Sequence, residues 1–368
     1  MKKIAYILYV ALVITIVGSS YYINNHLDQK EMISQNESDT MEAEFVYGEI
    51  TELYPMHEDG QMAVIKLESG KKVNAKIGVE YNYNTYQKEQ AVRAYKTTNL
   101  ITGESTYDIV DYYHGSGLFM IFIIFSALVV IIARKKGFFS LVSIMSSLIL
   151  FYYLFLNLIK FGVSPILACL IFVCALTLIT IPLIHGFNLK SLSTIVSVIL
   201  GYVISLVVTL IFTMMAYIGP ASSEDLRTLT LQFPEINLSE ILIAAIFLGA
   251  VGALIDTSIT ISSAIFESQK ENLKVTFKKA CKIGMEIGKD ILGSMTNTLL
   301  IAYLAASMPF LVLLSLGQFD NLRELVNYEF ISMELVRIFV GGASLVILIP
   351  ITTIVSSYLL MKQLKTNK

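Results

Sequence analysis

The sequence predicts a mainly α-helical membrane protein of about eight transmembrane helices, with a small extracytoplasmic β domain inserted after the first helix. Three observations carry this. Of the 368 residues, 55% are hydrophobic and only 15% charged, where a soluble domain carries about 25% charged residues. Several apolar runs reach the roughly 20 residues that a helix needs to cross a bilayer. Between the first and second of those runs lies a polar stretch, residues 23–115, whose apolar residues alternate instead of running on.

Residues 1–22 read as a signal anchor and first transmembrane helix, with a cleaved signal peptide as the alternative. Lys2 and Lys3 precede the apolar run from Ile4 to Val17, and no clear small-x-small cleavage site follows Gly18-Ser19-Ser20. Residues 23–43 are polar and acidic and read as a stalk. Residues 44–115 carry five strand-like runs, Glu44 to Leu53, Met62 to Leu67, Lys72 to Ile77, Ala91 to Thr97 and Thr106 to Tyr112, separated by turn signals such as Asp59-Gly60 and Ser69-Gly70. A barrel or sandwich suits five such strands, an OB-like barrel among them. Tyr81, Tyr83 and Tyr86 fall in one loop; rings packed onto the sheet are the expectation, and a recognition surface is the alternative. With its stalk this region holds 16 acids against 8 basic residues, which argues against a nucleic-acid partner.

Residues 116–368 read as a seven-helix transmembrane domain with a basic cytoplasmic link at 268–283. The runs are Gly117 to Ala133, Phe138 to Leu156, Pro165 to Ile184, Leu192 to Tyr217, Ile241 to Ile265, Met295 to Leu316 and Val336 to Met361. Cytoplasmic flanks are rich in Lys and Arg. Threading eight spans with the N-terminus inside puts fifteen Lys and Arg on the inner side against four in the short outer loops, Lys160, Arg227, Arg323 and Arg337. Both termini are therefore expected in the cytoplasm and residues 23–115 outside it. Within the link, Lys270, Lys274, Lys278 and Lys282 recur at i,i+4, as an interfacial helix on anionic lipid or an ordinary positive loop would show.

The residues that carry chemistry cluster between Gly249 and Tyr303. At helical spacing Ala245, Gly249, Ala253, Asp256, Thr260, Ser263 and Glu267 share one face, and Glu286, Asp290, Ser294 and Asn297 form a second polar stripe. Ala245, Gly249, Gly252, Ala253, Gly284, Gly288 and Gly293 are the candidate helix-packing positions, small enough for close approach. A carboxylate at bilayer depth costs at least about 2.5 kcal/mol and is expected to face protein or water. Asp256, Thr260, Ser263, Asp290 and Asn297 together offer carboxylate, hydroxyl and amide oxygens, hard ligands suited to a small cation, and a desolvated carboxylate can carry a proton. The bland alternative for Asp290 is a solvated helix-end charge paired with Lys289 or Lys282.

Other chemistries lack their residues. There is no P-loop, no His/Cys metal spacing, no serine–histidine hydrolase motif, and no G-x-G-D or H-E-x-x-H signature of an intramembrane enzyme. His26, His57, His114 and His185 are scattered, and Cys169, Cys174 and Cys281 have no pairing pattern. No enzymatic activity and no cofactor is expected, and the presence of a metal is left open.

The Gly249 to Tyr303 stretch resembles the YibE/F family of bacterial multi-pass membrane proteins. The resemblance rests on Gly249 and Gly252, Asp256-Thr257-Ser258-Ile259-Thr260-Ile261-Ser262-Ser263, Glu267, Gly284-Met285, Ile287-Gly288-Lys289-Asp290-Ile291-Leu292-Gly293, Met295-Thr296-Asn297-Thr298-Leu299-Leu300 and Ala302-Tyr303. A second point is Asp111-Tyr112-Tyr113, which the family pattern continues with arginine where this chain has His114. The resemblance implies an integral protein of the bacterial plasma membrane with a large outer domain, and it implies no activity. The expected function is that of a transporter or permease coupled to a cation or proton through intramembrane carboxylates. The alternative is a non-catalytic envelope accessory or binding protein, acting through its outer domain and helix–helix assembly. The lipid bilayer is the expected partner, with a homo- or hetero-oligomer with a related membrane protein allowed by the small-residue faces.

Overall fold

The computed structural model describes residues 41–57, 60–77, 85–219, 235–271, 275–317 and 322–366. The N-terminal anchor and most of the stalk lie outside the described residues, as do Tyr81 and Tyr83. The chain divides into two compact units, one spanning Asn25–Phe138 and the other running from Phe139 onward.

The first unit holds a closed barrel of five strands, β1 (Met41–His57), β2 (Gly60–Leu67), β3 (Lys72–Ile77), β4 (Ala91–Asn99) and β5 (Ser105–Tyr112). The barrel order is β1-β2-β3-β5-β4, antiparallel except where β3 meets β5 in parallel at Lys76–Asp108 and Ile77–Ile109. That order fits a five-stranded Greek-key barrel. β1 begins at Met41, so the last residues of the expected stalk are already strand. Its length lets one strand serve two neighbours, pairing with β4 over Met41 to Glu49 and with β2 over Gly48 to His57. Register shifts after Ile50 and Leu53 supply the bend that this requires. Alternation decides the inside: Ile50, Ala63, Ile65, Val73, Ala75, Ile77, Val92, Ala94 and Ile109 fill the barrel. Tyr86 joins them, its ring 4.8 Å from that of Tyr112, whose hydroxyl donates to the Thr85 carbonyl at 3.0 Å.

After the barrel the described residues form α1 (Gly115–Leu150), α2 (Pro165–His185), α3 (Leu189–Met215), α4 (Leu238–Glu271), α5 (Phe277–Ala306), α6 (Met308–Leu316), α7 (Leu322–Asn327) and α8 (Glu329–Thr366). A π-helical turn, Phe151–Leu156, and the single turn Asn157–Lys160 prolong α1. Local chemistry sets several ends. Pro165 opens α2, Gly186 at φ 77° closes it, and the Asn188 side chain caps α3 by accepting from Ser191 N–H at 2.8 Å.

Among the described residues five helices are long and apolar enough to cross a membrane, or six if the bent pair α5–α6 counts as one. This departs from the expected count of eight in three ways. The N-terminal run is outside the described residues. The expected runs Gly117 to Ala133 and Phe138 to Leu156 form one 46-residue helical stretch, Gly115–Lys160, broken at Arg134, where φ is 50° and ψ −125°. The expected run Met295 to Leu316 is two helices meeting at 63°. The basic link at 268–283 is also shorter than expected: α4 continues to Glu271 and α5 begins at Phe277, so Lys278, Lys279 and Lys282 stand on the first turns of a helix.

In the second unit α8 is the hub. Hydroxyl contacts fix its neighbours: Ser258 with Thr352 at 3.0 Å and Ser262 with Ser356 at 2.8 Å from α4, Ser205 with Ser344 at 2.8 Å and Ser193 with Ser356 at 3.3 Å from α3. The numbers rise together for α4 and α8, which run parallel, and oppositely for α3, which runs antiparallel. Gly284 against Thr353 and Gly288 against Ile349 put α5 antiparallel to α8 as well. These directions are those of helices threading back and forth through one layer. Each interhelical hydroxyl bond contributes about 0.6 kcal/mol in such bundles, and apolar packing around Phe172, Tyr202, Phe247, Leu254 and Leu348 supplies the rest of the core.

Candidate functional site

The two polar stripes stand on α4 and α5, antiparallel neighbours. Gly249 against Tyr303 at one end and Ile265 against Gly284 at the other set their register. Between those contacts Asp256 comes level with Met295, and Thr260 with Ile291, so Asp290, Ser294 and Asn297 lie within about a turn of Asp256 and Thr260 along the pair. Both stripes turn the same way with respect to packing. Gly252, Asp256, Thr260, Glu267, Glu286, Asp290, Gly293, Ser294 and Asn297 are all exposed, and Ser263 is half-buried. The opposite faces, with Leu254, Thr257, Ser258, Ile261, Gly284 and Gly288, are the ones buried in the bundle. The polar face thus looks out of the chain.

The expected oxygen ligands are exposed or half-buried on their own helices, and among the described residues no hydrogen bond joins those of α4 to those of α5. Thr260 Oγ1 donates to the Asp256 carbonyl at 2.8 Å, and Thr298 Oγ1 to the Ser294 carbonyl at 2.9 Å. With each hydroxyl proton committed to its own helix, the oxygen lone pairs remain for a cation or a water. Among the described residues Lys282 pairs with Glu286, at 3.8 Å, instead of with Asp290. No group of three or more His, Cys, Asp or Glu residues is gathered closely enough to hold a metal ion among the described residues.

The small residues divide by their surroundings. A Cβ at Gly249 would meet the Tyr303 hydroxyl, one at Gly284 would meet Ile265 and Thr353, and one at Gly288 would meet Ile349. Gly252 and Gly293 have nothing within 4 Å of such an atom, and Ala245 is exposed while Ala253 is half-buried. The helix-packing set therefore contains three glycines used inside the chain and an open set beside the carboxylates.

One polar cluster was not anticipated from the sequence. Arg337, expected in a short outer loop, stands in α8, where its Nη1 donates to both Glu334 oxygens at 2.8 and 3.0 Å. Glu334 is buried, and the guanidinium lies 5.3 Å from the centre of the Tyr303 ring. Tyr303 in turn closes over Gly249, so one contact chain joins α8, α5 and α4 near the end of the bundle where α4 and α8 begin. The signal for it was the Glu-x-x-Arg spacing, which puts both side chains on one helix face.

No curated protein matches the chain, and no solved structure matches it. The YibE/F-like protein family does match, over residues 121–362, well beyond the Gly249 to Tyr303 stretch. Both carboxylate stripes and the Glu334–Arg337 pair fall inside the match, while the barrel and Asp111-Tyr112-Tyr113 precede it. With about two thirds of its length matched, taking in α2 to α7 and most of α8, the chain belongs to the YibE/F family.

Proposed function

We propose that this protein is a multi-pass transporter or permease of the bacterial plasma membrane, which moves its substrate by coupling to a cation or proton at Asp256 and Asp290. The observation that carries this reading is the outward polar face of α4 and α5. Two carboxylates with amide and hydroxyl oxygens stand there on apolar helices and face away from the bundle. Lipid is a costly cover for them, because a carboxylate at bilayer depth costs about 2.5–3.5 kcal/mol on insertion scales, and water or another protein surface is the favoured one. A water-lined face with alternating proton and ion ligands is the physical form of a transport path. Gly252 and Gly293, open on that face, leave room for it.

The break at Arg134 divides the Gly115–Lys160 stretch into two crossings. With the bent α5–α6 pair taken as one crossing, this makes seven, and the N-terminal apolar run makes eight. Both termini then lie in the cytoplasm with the barrel outside, as the bias of Lys and Arg toward the inner side favours.

A second reading is favoured by the same open glycines. Gly252 and Gly293 flank Asp256 and Asn297 and would admit a helix of another copy or of a related membrane protein. The protein would then be an accessory component of the envelope, with the polar face as an assembly seam.

Flux into liposomes separates the two. Wild-type protein under imposed pH and cation gradients is expected to give a gradient-dependent flux, and Asp256→Asn to lose it by tenfold or more, the order of effect when a group worth about 1.4 kcal/mol or more to the transport step is removed. Asp290→Asn is expected to act in the same direction. Equal flux from wild type and both correctly inserted variants overturns the transport site.

A further inference from the structure

A line of exposed aromatic and apolar side chains runs along the outside of the barrel, apart from its core. It starts where the barrel hands over to α1. The Tyr113 ring packs against Gly115, the first residue of α1, and lies 5.3 Å from the Tyr47 ring. Tyr47 pairs across the β1–β4 seam with Arg93, whose guanidinium sits 4.8 Å above the Phe45 ring, and Phe45 meets Tyr95 at 5.0 Å. Strand alternation puts all four seam residues on the outer face, since Val92 and Ala94 between them point into the core. The hairpin tip beyond Tyr95 exposes Ile101 at 77% and Leu100 at 59%. β5, which leads from that tip back to α1, has eight residues and so a length of about 26 Å. An aromatic-apolar stripe thus follows the length of the barrel from the start of an apolar helix to an apolar tip.

We propose that the β1–β4 seam and the Leu100–Ile101 tip lie on the phospholipid surface of the bilayer that α1 enters. The inference rests on the reading of α1 as a membrane crossing. Continuity selects lipid as the occupant, because the stripe begins on the residue packed against the first turn of a helix whose Leu118, Phe119, Met120 and Ile121 are all exposed. Tyrosine rings suit the headgroup level, with an apolar body and a polar tip. Arg93 adds a cation to the seam, its guanidinium stacked on the Phe45 ring. The domain with its stalk has 16 acids and 8 basic residues, so charge does not draw it to anionic lipid. Partition of the rings does, and docking is expected on zwitterionic phosphatidylcholine and at high salt.

The chain has no tryptophan, so a single introduced tryptophan reports alone. Full-length Phe45→Trp, Ile101→Trp, Met62→Trp and Ile124→Trp proteins are reconstituted into phosphatidylcholine vesicles containing lipid brominated near the headgroup or deep in the acyl chain. Met62 is an exposed residue of β2, and Ile124 lies midway along the first part of α1. The expected result is blue-shifted emission and loss of intensity with shallow bromine for Phe45→Trp and Ile101→Trp, no quenching for Met62→Trp, and quenching with deep bromine for Ile124→Trp. Quenching of Ile124→Trp alone overturns the docking and leaves the membrane reading intact. Absence of quenching at Ile124→Trp overturns the membrane reading and the docking with it. Equal quenching at Met62→Trp and Phe45→Trp overturns the choice of this seam.

Discussion

Glu334→Ala is expected to destabilise the helical unit by about 3–5 kcal/mol, the cost of leaving a buried charge without its partner. Glu334 is buried, and Arg337 donates from one nitrogen to both its oxygens. No other acid pairs with that guanidinium among the described residues, and the Tyr303 ring centre lies 5.3 Å from it. Removing both charges, as in Glu334→Leu with Arg337→Met, is expected to recover most of the loss, since an apolar pair of similar volume is often neutral or better than a buried ion pair. Unfolding midpoints of the purified protein in one detergent give the comparison. A single variant as stable as wild type, or a double variant no better than the single, contradicts this view of the pair.

Gly284→Val is expected to cost about 1–3 kcal/mol through overpacking between α5 and its neighbours. A Cβ there would stand 2.7 Å from Ile265 Cδ1 and 2.8 Å from Thr353 Oγ1, so side chains of two different helices must give way together. Gly293→Val, one face round on the same helix, meets nothing within 4 Å and should change stability by less than about 0.5 kcal/mol. The contrast is read from the same unfolding midpoints. Equal losses at the two positions would mean that the exposed face of α5 is packed in the folded protein.

The barrel was legible in the sequence almost residue by residue. Its strands are half-buried, so the period of two survives in runs such as Val73-Asn74-Ala75-Lys76-Ile77, where every second side chain is inside. Helix boundaries were less legible for a physical reason. The hydropathy of a run marks where lipid could lie, and a helix extends beyond that wherever its backbone bonds can continue. Lys278, Lys279 and Lys282 read as a link, yet they sit on the first turns of α5 behind the Thr276 cap. Arg337 was read as a loop charge because nothing in a hydropathy window pairs it with Glu334. The α4 and α5 stripes were legible as faces, since spacing fixes which residues share a side. Which side turns inward was not, because a stripe of small and polar residues suits a packed interface and a water-lined path alike. The hydroxyls of Ser258 and Ser262 show the point: they are the buried ones, while Asp256 and Thr260, on the next face of the same helix, are exposed.

The most direct test of the outward polar face as a transport path is thiol accessibility at Gly252. In a background with Cys169, Cys174 and Cys281 replaced by alanine, Gly252→Cys protein in sealed vesicles is exposed to a small membrane-impermeant thiol reagent from each side. Modification of the cysteine, slowed when the coupling cation is present, is the expected result for a water-lined face beside Asp256. An unreactive cysteine in properly inserted protein would place Gly252 against lipid or another helix and contradict the path.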